Sequence, residues 1–319
     1  RDQSSLFGPE SRSSTYYRLS GAWRANEDLH IGGIDELRLR ASYGTAGLRP
    51  QFDYQYETLD VSAGSFSKNT LGNKALRPAK SSEIEVGANL ELANGRVTLE
   101  YTFSEKRSKD QIQQVNLPSV VGFLNQWQNI GALTAKTHEV ALGLQLVNNR
   151  NMALQLNVTG DRTRQIITDY PIPEKLYGGG SQAPEIFLIR KGVALGAMYG
   201  QKAVRTIDEL YDDVAKKALS GAGQAWSRDS VMVNEEGYVV RRNQWRCQNG
   251  VNLGNPGGCT GQERPINYID ANGENTVFIG DANPDFNMSF NPVFNYKKLA
   301  INGLLDWSQG GQIYNGSRQ

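Results

Sequence analysis

Residues 82–103 read SEIEVGANLELANGRVTLEYTF, and this stretch alternates strictly before turning back on itself. Ile84, Val86, Ala88, Leu90 and Leu92 share one parity, while Glu83, Glu85, Asn89 and Glu91 share the other. Successive side chains of a β-strand point to opposite faces, so this arm has an apolar face and a charged one. Val97, Leu99, Tyr101 and Phe103 repeat the pattern against Thr98, Glu100 and Thr102. Between the arms, Asn94-Gly95 supplies the two positive-φ positions of a tight hairpin turn. Each arm runs to about ten residues, beyond the five or six usual in soluble sheets. A tilted strand of about that length crosses the hydrocarbon core of a membrane. Two architectures satisfy these facts. One is a soluble antiparallel sandwich wet on one side. The other is a transmembrane β-barrel, apolar outside and polar within.

The rest of the chain discriminates between them. Alternating strands are read at residues 15–24, 37–43, 136–146 and 152–167, then at 286–296 and 299–307. Pro292 lies inside the 286–296 strand and predicts a bulge or a weak ladder position. Links after the first, third, fifth and seventh strands are short. Those after the second, fourth and sixth are long, and residues 168–283 form a loop region without sustained alternation. Odd and even links of an up-and-down sheet lie on opposite sides, so the pattern matches short periplasmic turns and long extracellular loops. A Greek-key sandwich has no cause to produce it. Trp23, Tyr43, Tyr296 and Trp307 near strand ends suit interfacial girdles. The expected fold is therefore all-β: an antiparallel up-and-down transmembrane barrel.

The inward parity carries Arg38, Arg40, Glu83, Glu85, Glu100 and Glu139. About eight strands would enclose a lumen just wide enough for packed side chains, too narrow for these charges. A fragment forming an arc of a wider barrel fits better. Within residues 168–283, Thr206 and Glu209 form a capping box, followed by Ile207, Leu210, Val214 and Ala218 at helical spacing. This predicts a short amphipathic helix over residues 206–219.

Bulk charge gives no nucleic-acid reading, with 34 basic against 33 acidic residues. No apolar run approaches the length of a transmembrane helix, which does not bear on a barrel. Cys247 and Cys259 share one Gly/Asn-rich stretch, which points to a loop disulfide formed in an oxidising compartment. His30 and His138 lie far from them, so no zinc site or other metal site is read. Glutamates two apart on one strand can reach glycosidase spacing by accident, and no nucleophile motif occurs, so an enzyme is not expected.

Several segments resemble the C-terminal half of SusC/RagA-type TonB-dependent outer-membrane transporters. They are residues 4–24 ending in Trp23, LRLRASYGTAG at 37–47, NKALRPAKSSEIEVG at 73–87, and the Asn-Ile-Gly start of 129–142. The most specific is residues 279–315, where Pro-Asp-Phe, the Tyr-Lys turn and Gly-Gly…Tyr-Asn fall in family order. The resemblance implies a barrel of about 22 strands in the bacterial outer membrane, closed by an N-terminal plug. It implies uptake of a large nutrient, an oligosaccharide or peptide, with a SusD-like surface lipoprotein as lid and TonB as energy source. No cofactor is implied. Plug, TonB box, early strands and the terminal strand are not in this chain. YIDANGEN at 268–275 sits where relatives carry an acidic, calcium-loop-like segment; here it reads as a plain hydrogen-bonded turn.

Loop aromatics are the candidate substrate contacts: Trp127, Tyr177, Tyr199, Trp226 and Trp245. The alternative is that they anchor the loops on one another. Arg241, Arg242 and Arg246 surround Trp245 and suit an anionic ligand or a lipopolysaccharide phosphate; the default reading is a solvated loop. Two other function classes compete with energised transport: a passive porin-like or adhesin barrel, and a secreted carbohydrate-binding β-sandwich.

Overall fold

The computed structural model describes residues 2–3, 13–178, 185–212, 217–218, 227–249, 251–270 and 272–315. The chain divides into two compact units. The first comprises residues 1–175, 189–195 and 283–313; the second comprises 176–188, 196–282 and 314–319.

The first unit is built on one antiparallel meander. Its strands are β1 (Arg18–Arg24), β2 (Ile34–Leu48), β3 (Ala79–Leu92), β4 (Val97–Lys109), β5 (Ala132–Asn148), β6 (Met152–Asp169) and β7 (Pro284–Tyr296). The last strand is split into β8 (Leu299–Asn302) and β9 (Leu305–Gly310), both paired with β7. Every strand pairs with its sequence neighbours, and β1 and β8/β9 remain as open edges. The fold is thus a partial, unclosed barrel wall, as the alternation predicts. The split in the last strand lies opposite Pro292, which has no N–H to donate; its carbonyl accepts from Gly303 N at 3.0 Å instead.

Register fixes what shares a face, because paired residues of antiparallel strands point the same way. Leu37, Leu90, Leu99, Leu142, Val158, Phe290 and Leu305 form one row across seven strands. The next row is Trp23, Leu39, Ala88, Tyr101, Val140, Gly160, Met288 and Trp307. These side chains are not a core: Leu39, Tyr101, Val140, Leu305 and Trp307 are all exposed. A continuous apolar face of this extent is a liability in water and fits a hydrocarbon surrounding.

The opposite face is polar throughout. Arg40, Gly87, Thr102, Glu139, Asp161, Asn287 and Ser308 form one row. Asn287 Nδ2 donates to Asp161 Oδ2 at 3.1 Å, and Ser308 Oγ donates to Asn287 Oδ1 at 2.8 Å. Arg38, Glu83, Glu85 and Glu100 fall in rows on the same face. Arg40 reaches across Gly87 to bond Glu100 and Thr102, each at 2.5 Å. Gly87 makes that reach possible, since a Cβ there would stand 2.5 Å from Arg40 Nε and 3.0 Å from the Tyr101 carbonyl oxygen. Gly87→Val should therefore push the guanidinium off Glu100 and cost about 1–3 kcal/mol through overpacking. The temperature at which the folded barrel loses its anomalous gel mobility reads this directly, and an unchanged transition would refute it.

Two long connections are more ordered than the sequence suggests. Residues 49–78 hold a hairpin of Thr58–Ser62 and Ser65–Leu71, turned at Ala63 and Gly64 with φ of 46° and 84°. Residues 110–131 hold Ile112–Asn116 and Asn125–Asn129, which join that hairpin in one four-stranded sheet. Amides knit it: Asn69, Thr70 and Gln114 all bond Asn125.

The helix expected over residues 206–219 is not formed. Only Ile207–Leu210 is helical, as a single 3-10 turn, and the chain is extended at Tyr211–Asp212. Residues 213–216 and 219 lie outside the described residues. Thr206 Oγ1 does donate to Glu209 Oε1 at 3.3 Å, so the side chains of the capping box do meet. One turn suffices to bury Leu210, and to half-bury Ile207, against Val204, Val231 and Val239, and tertiary packing overrides the propensity for more.

Candidate functional site

The second unit contains a cleft of its own. Its floor is a small apolar cluster of Val204, Leu210, Val231 and Val239, with Ile207, Ile266 and Tyr268 against it. Val231–Val233 and Val239–Arg241 form a hairpin over this cluster. The hairpin turn is set by Asn234, whose Oδ1 accepts from Glu236 N at 3.1 Å and Tyr238 N at 2.9 Å, with Gly237 at φ 78°. The chain then runs through Arg242, Trp245 and Cys247, and Cys247 is bonded to Cys259. Asn255 is 6% exposed and holds the following loop closed. Its Nδ2 donates to the Arg242 carbonyl at 2.9 Å, and its Oδ1 accepts from Gly257 N at 2.9 Å.

Between hairpin and disulfide loop lies a cleft of about 1000 Å³. Met232, Trp245 and Pro256 give it apolar wall; Asp229, Arg241, Arg242, Asn243 and Asn255 give it polar wall. Trp245 is fixed from two sides. Its Nε1 donates to Glu235 Oε2 at 3.2 Å, and the Arg246 guanidinium stacks 4.5 Å from its ring centre. Arg246 Nη2 in turn pairs with Glu235 Oε1 at 2.7 Å. A backbone N–H, then Arg246 and Trp245 as donors, hold the Glu235 carboxyl below the usual carboxylate range. The pair is therefore ionised at neutral pH and keeps the indole in one orientation. Arg242 is committed to main-chain carbonyls, with Nε donating to Asp229 O at 3.0 Å and Nη2 to Val231 O at 3.3 Å. Arg242 and Arg246 are thus used structurally, bonded to main-chain carbonyls and to Glu235.

The candidate aromatics have different surroundings, each within its own unit. Trp245 lines the cleft. Trp127 stacks on Tyr54 at 3.8 Å and 14°, in the first unit, which is the loop-anchoring alternative. Tyr199 meets Phe278 edge-on at 5.8 Å. Tyr177 is 63% exposed, and Trp226 lies outside the described residues. Met232, Asp229 and Asn255 were missed by sequence reasoning; only the Asn/Gly/Pro content of residues 249–258 signalled a constrained loop. At 268–275, Asp270 Oδ1 accepts from Asn272 N and Glu274 N, both at 2.9 Å, and Gly273 N donates to Asp270 O at 3.0 Å. The Glu274 backbone N–H is the main cause holding the Asp270 carboxyl low. This is the hydrogen-bonded turn read from the sequence. Among the described residues no cluster of three or more His, Cys, Asp or Glu could hold a metal ion.

Residues 1–186 match the family model described as TonB dependent receptor-like, beta-barrel. The chain belongs to this family. It is a piece of bacterial outer-membrane barrel, crossed by strands; no helix among the described residues is long and apolar enough to span a membrane. TonB-dependent receptor P26 of Formosa agariphila is 24% identical over 98% of the chain, and TonB-dependent receptor P3 of the same organism 25% over 99%. The chain spans 30% of the length of each. Among solved structures, the RagAB peptide importer in its closed-closed state superposes with a TM-score of 0.65 at 20% identity, over 97% of this chain and 31% of that one. Its open-open state gives 0.65 at 19% identity, over 97% and 30%. At these identities the likeness establishes a shared fold alone.

Proposed function

We propose that the protein carrying this chain takes up a large nutrient, an oligosaccharide or peptide, across the outer membrane by a TonB-dependent mechanism. The observation that supports this best is the two-faced sheet. One face is apolar and half-exposed or exposed over seven strands, and the other is a hydrogen-bonded polar surface. In this reading the apolar face meets lipid, and Arg38, Arg40, Glu83, Glu85, Glu100 and Glu139 line a wetted lumen. The long connections, including residues 168–283, face outward and carry recognition. TonB acts on a plug contributed by other parts of the protein, and a SusD-like lipoprotein covers the loops. The peptide import stated for RagAB is compatible with this cargo class. No step of the mechanism requires the protein to act as an enzyme.

The Trp245 cleft is the loop subsite this reading assigns to the cargo. A flat ring held at fixed orientation stacks on a sugar face or a peptide side chain at small entropic cost. In the complete receptor, Trp245→Ala should weaken cargo binding about tenfold or more, the cost of losing an aromatic anchor. Isothermal titration with the cognate oligosaccharide or peptide measures it, and unchanged affinity would remove the cleft from the recognition surface. Collapse of the proton gradient by a protonophore should stop uptake while leaving binding intact; continued flux would favour a passive channel.

A further inference from the structure

One strand edge outside the barrel wall is left open. The four-stranded loop sheet runs in the order 58–62, 65–71, 125–129, 112–116, so Thr58–Ser62 lies at an edge. Among the described residues no strand pairs with its outer side. The hairpin closes at Ser62 and Ser65 around Ala63-Gly64, and Asp60 stands opposite Ser67. Opposed pairs of an antiparallel ladder alternate between bonded and non-bonded, and a two-residue turn closes on a bonded pair. Asp60 and Ser62 therefore use their main-chain groups in the ladder. Leu59 and Val61 point theirs outward: two N–H donors and two carbonyl acceptors with no partner strand among the described residues. Their side chains share a face with Phe66, and the three are 52%, 67% and 73% exposed.

Native sheets blunt such an edge with lysine, proline, a bulge or a cover. This strand, TLDVS, has neither lysine nor proline, and the register shift falls at Asn69 on the inner strand. Its one charge is turned away: Asn69 Nδ2 donates to both Asp60 carboxylate oxygens, at 3.1 and 3.0 Å. Only an extended backbone meets alternating donors and acceptors in this arrangement, and only apolar side chains at alternate positions cover Leu59, Val61 and Phe66. We propose that this edge binds an extended peptide, which adds as a fifth strand with apolar residues opposite Leu59 and Val61. The proposal rests on the uptake reading under Proposed function and names peptide as the cargo class at this site. Size separates a peptide from a folded partner. A stable protein interface takes about 20–30 residues a side, whereas strand addition draws affinity from main-chain bonds over a few residues. Register supports the match, because a residue bonded reciprocally to Leu59 or Val61 turns its side chain to the same face. Main-chain recognition accepts varied sequences provided every second residue is apolar.

The complete receptor, folded in detergent, is titrated with the end-capped hexapeptide KVTVTK and with its copy N-methylated at both valines. Methylation keeps the side chains and removes the two N–H groups that face Leu59 and Val61, so affinity should fall about tenfold or more. Amide hydrogen exchange at Leu59 and Val61 should slow on saturation with the unmethylated peptide, while Asp60, already in the ladder, changes little. Val61→Pro removes one outward N–H and no ladder bond, and should weaken binding about fivefold or more. Ser67→Ala, on the polar face of the same hairpin, should leave it intact. Equal affinity for the two peptides, or exchange at Leu59 and Val61 unchanged by peptide, overturns the edge site. Slow exchange at those amides before peptide is added overturns it as well, by placing another segment of the receptor on the edge. Peptide bound with slowed exchange but taken up despite a protonophore upholds the edge and sinks energised transport. Energised uptake with no slowing at the edge sinks the edge alone.

Discussion

Leu90→Arg is expected to block assembly of the barrel, while Asn89→Arg, one residue away, should be tolerated. Leu90 sits in the leucine row with Leu37 and Leu99, roughly 10 Å above the lowest apolar row and so near the midplane of a band of about 25 Å. An arginine there costs about 2–4 kcal/mol, because its charge has no water and no partner. Asn89 lies between Arg38 and Glu100 on the opposite face. A new arginine there gains Glu100 as a neighbour and remains wetted. The measurement is the fraction of each variant that reaches the outer membrane in heat-modifiable, protease-resistant form. Similar fractions for both variants would mean that the two faces do not differ in surroundings, and the barrel facing would fall.

Replacing Cys247 and Cys259 by serine should loosen the Trp245 cleft without touching the sheet. The bridge spans a separation of 12 residues, and closing a loop of that size restricts the unfolded chain by about 3 kcal/mol. Cys247 is 1% exposed, and its sulfur lies 3.8 Å from Asn255 Nδ2, beside the bonds that close the loop. Without the bridge, the Glu263 contacts to Arg246 N at 2.5 Å and Asn234 at 2.7 Å remain to hold the segment. Amide hydrogen exchange should rise over residues 241–263 and stay unchanged in β3–β6. Exchange unchanged in the loop would show that Asn255 and Glu263 suffice. Exchange raised in the strands would show that the two units unfold together.

The loops show where reading by periodicity stops. The 58–71 hairpin and its partners at 112–116 and 125–129 read as irregular chain in the sequence because their apolar runs are too short to register, and because Asn and Gln occupy both faces of the last two strands. Hydrophobic alternation is blind to a sheet stitched by amides. The 206–219 helix failed for the converse reason. Its local signals were real, as the Thr206–Glu209 contact shows, but burial of two side chains needed only one turn. Trp127 and Trp245 are the same residue type in similar sequence surroundings. One became a stacking partner of Tyr54 and the other a cleft wall, a difference made by residues far away in the chain.

The sequence by itself determined the strands, their order, their antiparallel pairing and the division of the sheet into an apolar and a charged face. Each of these follows from local rules: period-two alternation, Asn-Gly and other short turns, and the length of each apolar run. Tertiary structure alone decided which charges became partners, as in Arg40 crossing Gly87 to Glu100. It alone walled the cleft around Trp245. Those outcomes depend on register between strands and on contacts between distant segments, and no short-range pattern in a chain carries that information.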